Sequence, residues 1–294
     1  MTRGRFAPSP TGPLHFGSLV AALASWLDAR HAGGEWLVRI EDVDETRTVA
    51  GAADEILRGL EQFGLHWDGE VAWQSRRKPL YNAALDRLRS AGLVYRCRCS
   101  RKEIADSGLR GIDGIVYPGT CRTLQLGVDV PGADRFRVAA GPVEVADRVQ
   151  GRLAQDVARD VGDFVLVRRD GLHAYQLAVV VDDADQGITD VVRGADLLQS
   201  TPRQVLLQHA LGLSTPRYLH FPVATDAAGD KLSKQSLAGP VDATRAPELI
   251  AAALRFLGQP GATSRIPSEM LAEAARAWDA GRIPKAVSKR APGV

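Results

Sequence analysis

The sequence has few of the features that mark secreted, membrane-spanning or repeat proteins. It contains three cysteines among 294 residues, so they cannot all pair with one another, and no apolar run is long enough to span a bilayer. Its first residues do not resemble a secretion signal, and it has no internal repeat or low-complexity tract. The net charge is only +2, which excludes a general polycation. We therefore expect a globular protein of the cytosol that does not bind membranes.

What is present is an ordinary globular composition with alternating strand and helix patterns. Hydrophobic residues make up 45% and charged residues 24% of the chain, enough at this length for a large core. Strands are predicted in "GRFA", "EWLVRIED", "LVYRCRCS" and "ITDVVRG", and helices after Phe16, Gly51, Lys78, Thr201, Ala246 and Pro267. This alternation predicts an α/β fold with a parallel sheet. An irregular insertion is predicted from Gly108 to Gly151, and a hairpin in "DFVLVRRDGLHAYQLAVVVDD" around Asp170.

The stretch "RFAPSPTGPLHFGS" fits the end of a strand, a stiff turn and the start of a helix. In a parallel α/β sheet, ligands bind beyond the carboxyl ends of the strands. Unpaired N–H groups at a helix start form a phosphate site, Gly17 allows close approach, and His15 can hydrogen-bond a phosphate oxygen. By itself, however, the His-x-Gly spacing is more typical of a proline-rich turn with an incidental histidine.

A second stretch, "DAAGDKLSKQS", places Lys231 and Lys234 around a serine in a glycine-containing loop. Two ammonium groups on such a loop can clamp a polyphosphate as charge develops on it. Taken alone, this stretch is more typical of a solvated basic loop.

Together these stretches resemble class I aminoacyl-tRNA synthetases, with "HFGS" at the position of the HIGH motif and "KLSKQ" at that of KMSKS. "RIEDVDETR" and "YQLAVVVDDADQGITDVVRGADLLQSTPRQ" are similar to the glutamyl-tRNA synthetase branch. The resemblance runs from Arg5 to Ser236 and implies a Rossmann-like catalytic domain. The sequence departs from the motifs at Ser18, Leu232 and Gln235, a variation tolerated in that branch.

The resemblance implies a role for each matching residue. The implied catalytic residues are His15, Lys231 and Lys234, and the implied ATP-binding residues are His15, Gly17, Ser18 and Lys234, with magnesium accompanying ATP. The implied glutamate-binding residues are Arg5, Ser9, Glu41, Tyr175 and Arg193. Two arginines can pair with the two carboxylates of glutamate, and Glu41 can pair with its ammonium group. Glutamine would leave one arginine unpaired.

The three cysteines lie in "YRCRCS" and "YPGTCR". From spacing alone, a zinc site and three unrelated thiols are equally supported. The resemblance implies a structural zinc ion held by Cys97, Cys99, Tyr117 and Cys121. Asp113, Glu103 and water stay open as the fourth ligand.

The chain divides into four expected units. Residues 1–95 and 161–236 form the two halves of the catalytic domain, 96–160 an inserted zinc-binding module, and 237–294 a short helical carboxyl-terminal region. Only 59 residues follow Gln235, so we expect no anticodon-binding domain. In this the chain resembles a shortened branch of the family, which transfers glutamate to the queuosine base in the anticodon of tRNA(Asp).

For this branch the expected partners are L-glutamate, ATP and tRNA(Asp) bearing queuosine, and a monomer is expected. Basic clusters near Arg76, Arg96 and the carboxyl-terminal tail are expected to hold RNA phosphates. Three alternatives stay open. The chain could charge the 3′ end of tRNA(Glu), act as a nucleotidyltransferase, or be a non-catalytic zinc-containing RNA-binding module. Glutamate-dependent exchange of pyrophosphate into ATP separates the synthetases from the other two, and the labelled RNA separates the two synthetases.

Overall fold

Strands and helices alternate along the computed structural model, which describes residues 1–112, 114–226, 229–230 and 239–292. The helices are α1 Phe16–His31, α2 Ala52–Gln62, α3 Lys78–Ser90, α4 Arg101–Ala105, α5 Val157–Asp160, α6 Tyr175–Asp185, α7 Thr201–Ala210, α8 Ala246–Phe256 and α9 Pro267–Ala277. The strands are β1 Arg3–Phe6, β2 Glu35–Ile40, β3 Ala72–Trp73, β4 Val94–Cys97, β5 Arg110–Gly111, β6 Gly114–Ile115, β7 Ala133–Phe136, β8 Pro142–Asp147, β9 Gly151–Asp156, β10 Val165–Val167, β11 Asp190–Gly194, β12 Arg217–Phe221, β13 Val223–Thr225 and β14 Ser288–Arg290.

Parallel strands carry the centre of the molecule. Strand β1 pairs in parallel with β2, β2 with β3, and β11 with β12. The backbone N–H of Thr189, just before β11, donates to the carbonyl of Arg3 at 3.0 Å, so β1 and β11 start side by side. Their carboxyl ends therefore meet at one edge of the sheet, where ligands bind in such folds. The predicted α/β fold with a parallel sheet is confirmed.

The carboxyl-terminal helices belong to the same core as α1. Leu19, Leu23 and Leu27 of α1 are fully buried in one apolar cluster that also contains residues of α8 and α9. The rings of Phe16 and Phe256 meet edge to face, 6.0 Å apart. The predicted helical carboxyl-terminal region is therefore present, and it packs directly behind the helix that follows the proline-rich turn. Strand β14, which pairs with β13, was not predicted.

One predicted element is wrong. After β10, the expected second strand of the hairpin around Asp170 shrinks to a single bridge between Val167 and His173, and the following residues form helix α6. The run "LAVVV" contains strand formers, but all five of its residues are buried against neighbouring elements. Tertiary packing of a long apolar segment outweighed the local strand preference of its valines.

The inserted region contains small antiparallel sheets. Strand β7 pairs with β4 and β10, β5 pairs with β6, and β8 pairs with β9. Asp147, at the end of β8, is also in register with Tyr218 of β12, so the β8–β9 hairpin extends the sheet that contains β11 and β12. The division into four units stays a prediction. Among the described helices, none has the length and apolar character that a membrane span requires.

Candidate active site

The proline-rich turn after β1 is fastened to the segment that follows β2. The carbonyl of Pro8 accepts the backbone N–H of Glu41 at 2.9 Å, and that of Pro10 accepts the N–H of Val49 at 2.9 Å. Gly12 has φ +146°, a conformation that side-chain-bearing residues rarely adopt. These bonds hold Glu41 against the proline-rich turn that precedes α1.

His15 caps the start of α1. Its Nδ1 accepts the backbone N–H of Ser18 at 3.3 Å, so the proton of the neutral ring lies on Nε2. The first turn of the helix contains no acidic residue. A helix start with backbone donors and a neighbouring imidazole N–H suits a phosphate group. Lys231 and Lys234, the other two predicted catalytic residues, lie outside the described residues.

The structure brings all five residues predicted to bind glutamate to one cavity of about 310 Å³, located at the ends of β1, β2 and β11. They are Arg5, Ser9, Glu41, Tyr175 and Arg193. They come from four separate segments of the chain, and the parallel sheet collects them at one edge. Their roles in binding glutamate remain predictions, but all five side chains line the same cavity.

Two of these residues belong to a buried ion network that the sequence did not reveal. Arg5 Nε lies 3.2 Å from Asp183 Oδ1, and Arg39 Nη1 lies 2.9 Å from the same oxygen. Arg39 Nη2 also donates to Glu41 Oε1 at 3.2 Å. In this structure the two-pronged contact of Arg5 is therefore made to Asp183. The adjacent Asp182 and Asp183, which directly follow the apolar run "LAVVV" of α6, were the available signal.

The network sets the charge of its carboxylates. Burial raises the pKa of Glu41, and the attraction of Arg39 and Arg5 only partly offsets it. Burial opposes ionisation of Asp183 as well, but Arg5 and Arg39 outweigh it and hold the pKa of that carboxyl below its usual value. The ionised form of Glu41 is thus less stabilised than the ionised form of Asp183. A cationic ligand group beside Glu41 would favour its ionisation.

Arg193 is held by neutral groups. Its Nε donates to His220 Nε2 at 3.0 Å, its Nη2 donates to Thr201 Oγ1 at 2.9 Å and Gln204 Oε1 at 2.8 Å, and its Nη1 lies 3.4 Å from Tyr175 Oη. The side chain is buried, yet none of these contacts supplies a negative charge. An anionic ligand in the cavity would compensate the guanidinium.

The three cysteines form a second cluster, with their sulfur atoms within 4.8 Å of one another. Cys99 Sγ and Cys121 Sγ are 3.5 Å apart, near the value of about 3.8 Å expected for two thiolates on one tetrahedral zinc ion. Tyr117 Oη lies 3.3 Å from Cys97 Sγ and 3.9 Å from Cys99 Sγ. The donor set and spacing therefore fit zinc.

Glu103 and Asp113 are the other two residues considered as the fourth zinc ligand. Glu103 is engaged in the start of α4, where its carboxylate accepts the backbone N–H of Ser100 at 2.6 Å. Asp113 lies outside the described residues. Tyr117 is therefore the candidate nearest to the sulfur atoms among the described residues, and its hydroxyl also accepts the backbone N–H of Cys121 at 2.8 Å.

Comparison with known proteins decides the family. A family model described as tRNA synthetases class I (E and Q), catalytic domain, matches residues 1–115 and 129–272. The chain belongs to this family of class I tRNA synthetases. Membership confirms the predicted Rossmann-like synthetase fold and an enzyme of the ligase type, and it implies the use of ATP.

Curated relatives match over nearly the whole chain. The glutamyl-Q tRNA(Asp) synthetase of Dechloromonas aromatica is 58% identical over 288 residues, 96% of this chain and 96% of the relative. The protein of the same name from Chromobacterium violaceum is 56% identical over 283 residues, 96% of this chain and 95% of the relative.

Solved structures show the same fold in a longer protein. The glutamate-tRNA synthetase of Elizabethkingia anophelis superimposes with a TM-score of 0.81 at 25% identity, over 98% of this chain and 68% of that one. The glutamate tRNA ligase of Elizabethkingia meningosepticum, solved with its amino acid, gives the same TM-score and identity over 99% of this chain and 67% of that one.

Beside the cysteine cluster of this class I synthetase lies a basic cleft of about 670 Å³. Its charged lining residues are Arg101, Arg135, Arg168, Arg169 and Asp170, and Cys99 also lines it. Of the three basic clusters predicted to hold phosphates, those near Arg76 and Arg96 have their arginines engaged within the protein. Arg96 binds Asp134 at 2.9 Å and two backbone carbonyls, and Arg76 lies over the ring of Trp73. In the cleft, Arg168 likewise binds Asp44 at 2.9 Å and Asp170 at 2.6 Å, whereas Arg101 and Arg169 are exposed.

Proposed function

We propose that this chain activates L-glutamate with ATP and transfers the glutamyl group to the queuosine base in the anticodon of tRNA(Asp). The observation that carries the proposal is the 56–58% identity, over nearly the full length of both proteins, with relatives named glutamyl-Q tRNA(Asp) synthetase. The cavity at the carboxyl ends of β1, β2 and β11 supports it, because Arg5, Glu41 and Arg193 line that cavity and can pair with the charged groups of glutamate.

In the activation step, a glutamate α-carboxylate oxygen attacks the α-phosphorus of ATP, and the bond to the pyrophosphate leaving group breaks. Glu41 would pair with the ammonium group, and Arg5 and Arg193 would face the carboxylates. Because the contacts of Arg193 with described residues are all to neutral groups, a neutral glutamine side chain would add no anion to pair with its buried charge, which disfavours glutamine strongly.

The phosphates would lie at the start of α1. The Nε2 proton of His15 and the backbone N–H groups near Gly17 and Ser18 would stabilise phosphate oxygens as charge moves onto pyrophosphate. Lys231 and Lys234, which lie outside the described residues, would add their charge. Magnesium would accompany ATP as part of the substrate.

In the transfer step, one hydroxyl of the cyclopentene diol of queuosine attacks the glutamyl carbonyl. An ester bond forms, the mixed anhydride breaks and AMP leaves, with the hydroxyl proton passing to a phosphate oxygen of the leaving group or to solvent. The anticodon lies in a single-stranded loop, which is where proteins mostly read RNA. An unstacked base of this loop would therefore be accessible to the glutamate cavity. The arginines of the basic cleft would hold its flanking phosphates.

Cys97, Cys99 and Cys121, with Tyr117 as fourth ligand, would hold one structural zinc ion. The ion would fix the segments that carry one wall of the basic cleft, since Cys99 lines that cleft. This is the basis for proposing residues 96–160 as a zinc-containing module, with 1–95 and 161–236 as the catalytic halves and 237–294 as the helical carboxyl-terminal region.

The test uses labelled glutamate and two matched tRNA(Asp) preparations, one with queuosine and one with guanosine at the same anticodon position. We expect label only on the queuosine form. Periodate oxidation of the diol should abolish labelling when the 3′ end is separately protected. Equal labelling of both forms, or label released with the 3′-terminal adenosine, would refute the proposal.

The second candidate is charging of the 3′ end of tRNA(Glu). The structural likeness to glutamate-tRNA synthetases favours it, because the fold and the amino-acid cavity would serve either reaction. Including tRNA(Glu) as a third RNA in the same assay separates the two.

A further inference from the structure

Behind Arg193 lies a buried chain of hydrogen bonds that ends at Asp147. His220 Nε2 receives the Nε–H of Arg193 at 3.0 Å, and His220 Nδ1 lies 2.6 Å from Asp147 Oδ2. Asp147, His220 and Arg193 are all buried. The three come from β8, β12 and β11, so the chain crosses three strands of one sheet.

We propose that Asp147 and His220 are positioning residues for the glutamate site: Asp147 fixes the tautomer of His220, and His220 orients Arg193 toward the cavity. This inference rests on the proposed function, because it assigns these two residues to the binding of the same amino acid. Neither of them lines the cavity, so they act through Arg193.

The tautomer follows from the donors and acceptors. An arginine Nε–H can only donate, so His220 Nε2 must be the acceptor and Nδ1 must carry the proton. The carboxylate of Asp147 accepts a hydrogen bond from that Nδ1–H. Burial lowers the pKa of His220 to about 4, with the positive charge of Arg193 adding to the effect and Asp147 opposing it. The ring is therefore neutral at neutral pH and can accept from the guanidinium.

The other oxygen of Asp147 makes the site unusually sensitive to one substitution. Asp147 Oδ1 accepts the backbone N–H groups of Val149 at 2.9 Å, Gln150 at 2.7 Å and His220 at 3.3 Å. In Asp147→Asn these three donors require the amide oxygen in the same place. The amide NH₂ must then point at His220 Nδ1.

That orientation inverts the imidazole. With a donor facing Nδ1, the ring proton moves to Nε2, where it meets the Nε–H of Arg193. Thr201 Oγ1, 3.3 Å from Nε2, can accept a hydrogen bond from the relocated N–H, but the Nε–H of Arg193 loses its acceptor. The guanidinium of Arg193 therefore has to shift, although Asp147→Asn changes neither the charge of Arg193 nor, to any extent, the size of a side chain.

The experiment compares glutamate-dependent pyrophosphate exchange in Asp147→Asn and Asp190→Asn. Asp190 is a matched control, because it is a buried aspartate at the opposite end of β11, bound to Arg148 and Arg217 and remote from the cavity. We expect Asp147→Asn to raise KM for glutamate about ten-fold or more, to leave KM for ATP unchanged, and to reduce discrimination against glutamine. Asp190→Asn should keep all three values.

Two further variants separate positioning from folding. His220→Gln retains an oxygen that can accept from Arg193, and it should restore most of the glutamate affinity that His220→Leu loses. The ¹⁵N spectrum of the imidazoles, with His220 assigned from its loss in His220→Gln, should show protonated Nδ1 in the unaltered chain and protonated Nε2 in Asp147→Asn.

The outcomes are distinct. An unaltered chain without glutamate-dependent exchange would refute the proposed function, while the ¹⁵N spectrum would still decide the tautomer. An unchanged tautomer in Asp147→Asn, an unchanged KM for glutamate, or equal KM increases for glutamate and ATP would overturn the positioning role.

Discussion

Glu41→Gln removes one negative charge from the cavity with little change in shape. The Gln carbonyl can still accept from Arg39 Nη2, now 3.2 Å from Glu41 Oε1, and the backbone bond from residue 41 to Pro8 is unaffected. What is lost is the carboxylate that would face the substrate ammonium group. The substitution therefore tests the charge of this residue rather than its packing.

The magnitude follows from the burial of the site. A hydrogen bond to a charged group contributes about 1.5–3 kcal/mol, so losing this contact should lower kcat/KM for glutamate roughly 10- to 150-fold. The KM for ATP should change little. Burial raises the pKa of Glu41, so its ionisation opposes folding at neutral pH, and the neutral Gln should not destabilise the protein. We expect a melting temperature within about 2 °C of the unaltered chain.

Pyrophosphate exchange measured against glutamate concentration and pH provides the assay. Because the pKa of Glu41 is raised, glutamate affinity should fall on acidification at a higher pH than for an ordinary glutamate side chain, and Glu41→Gln should lack this acid limb. Glu35→Gln is the matched control, since Glu35 is the first residue of β2, the strand that Glu41 follows, and it is paired with Arg3 outside the cavity. An unchanged kcat/KM in Glu41→Gln, or an equal loss in Glu35→Gln, would refute the assignment.

Three further predictions concern the metal, the loop and the RNA. Protein purified without chelator should contain one zinc per chain, and Cys99→Ser should lose it. If Tyr117→Phe binds zinc with unchanged affinity, the tyrosine is not a ligand. Lys234→Ala should slow pyrophosphate exchange roughly 100-fold, and an unchanged rate would remove this residue from the mechanism. Arg169→Ala should weaken tRNA binding and reduce the salt dependence by about one unit of slope, and an unaltered slope would exclude it as a phosphate contact.

The sequence was most informative where short motifs and sheet topology agree. Arg5 and Arg193 lie near the carboxyl ends of β1 and β11, and Glu41 follows β2, so a parallel sheet alone places all three at one edge. The residues behind them could not be predicted in the same way. Asp183 and Asp147 reach their arginine and histidine partners across more than 70 positions, and no local pattern specifies which buried carboxylate meets which cation.

The α6 segment shows the limit of local propensity. Its valine-rich run is typical of a strand, yet in the structure it is a buried helix. Packing of its apolar side chains against several neighbouring elements outweighs their local preference for a strand. The same segment contributes Asp183 to the ion network. Misassigning its secondary structure therefore also conceals the carboxylate that holds Arg5.

Asp28, at the buried side of α1, joins segments that are made at very different times during synthesis. Its carboxylate receives two bonds from Arg148, at 2.6 and 2.8 Å, and one from Trp278 Nε1 at 2.9 Å. The contact with Trp278 spans 250 positions, and at about 5–20 residues per second the ribosome needs roughly 12–50 seconds to add them. During that interval the helix behind the amino-acid cavity lacks its final covering layer. Chaperones that shield apolar surface on the nascent chain would therefore act on the face of α1 that α8 and α9 later cover.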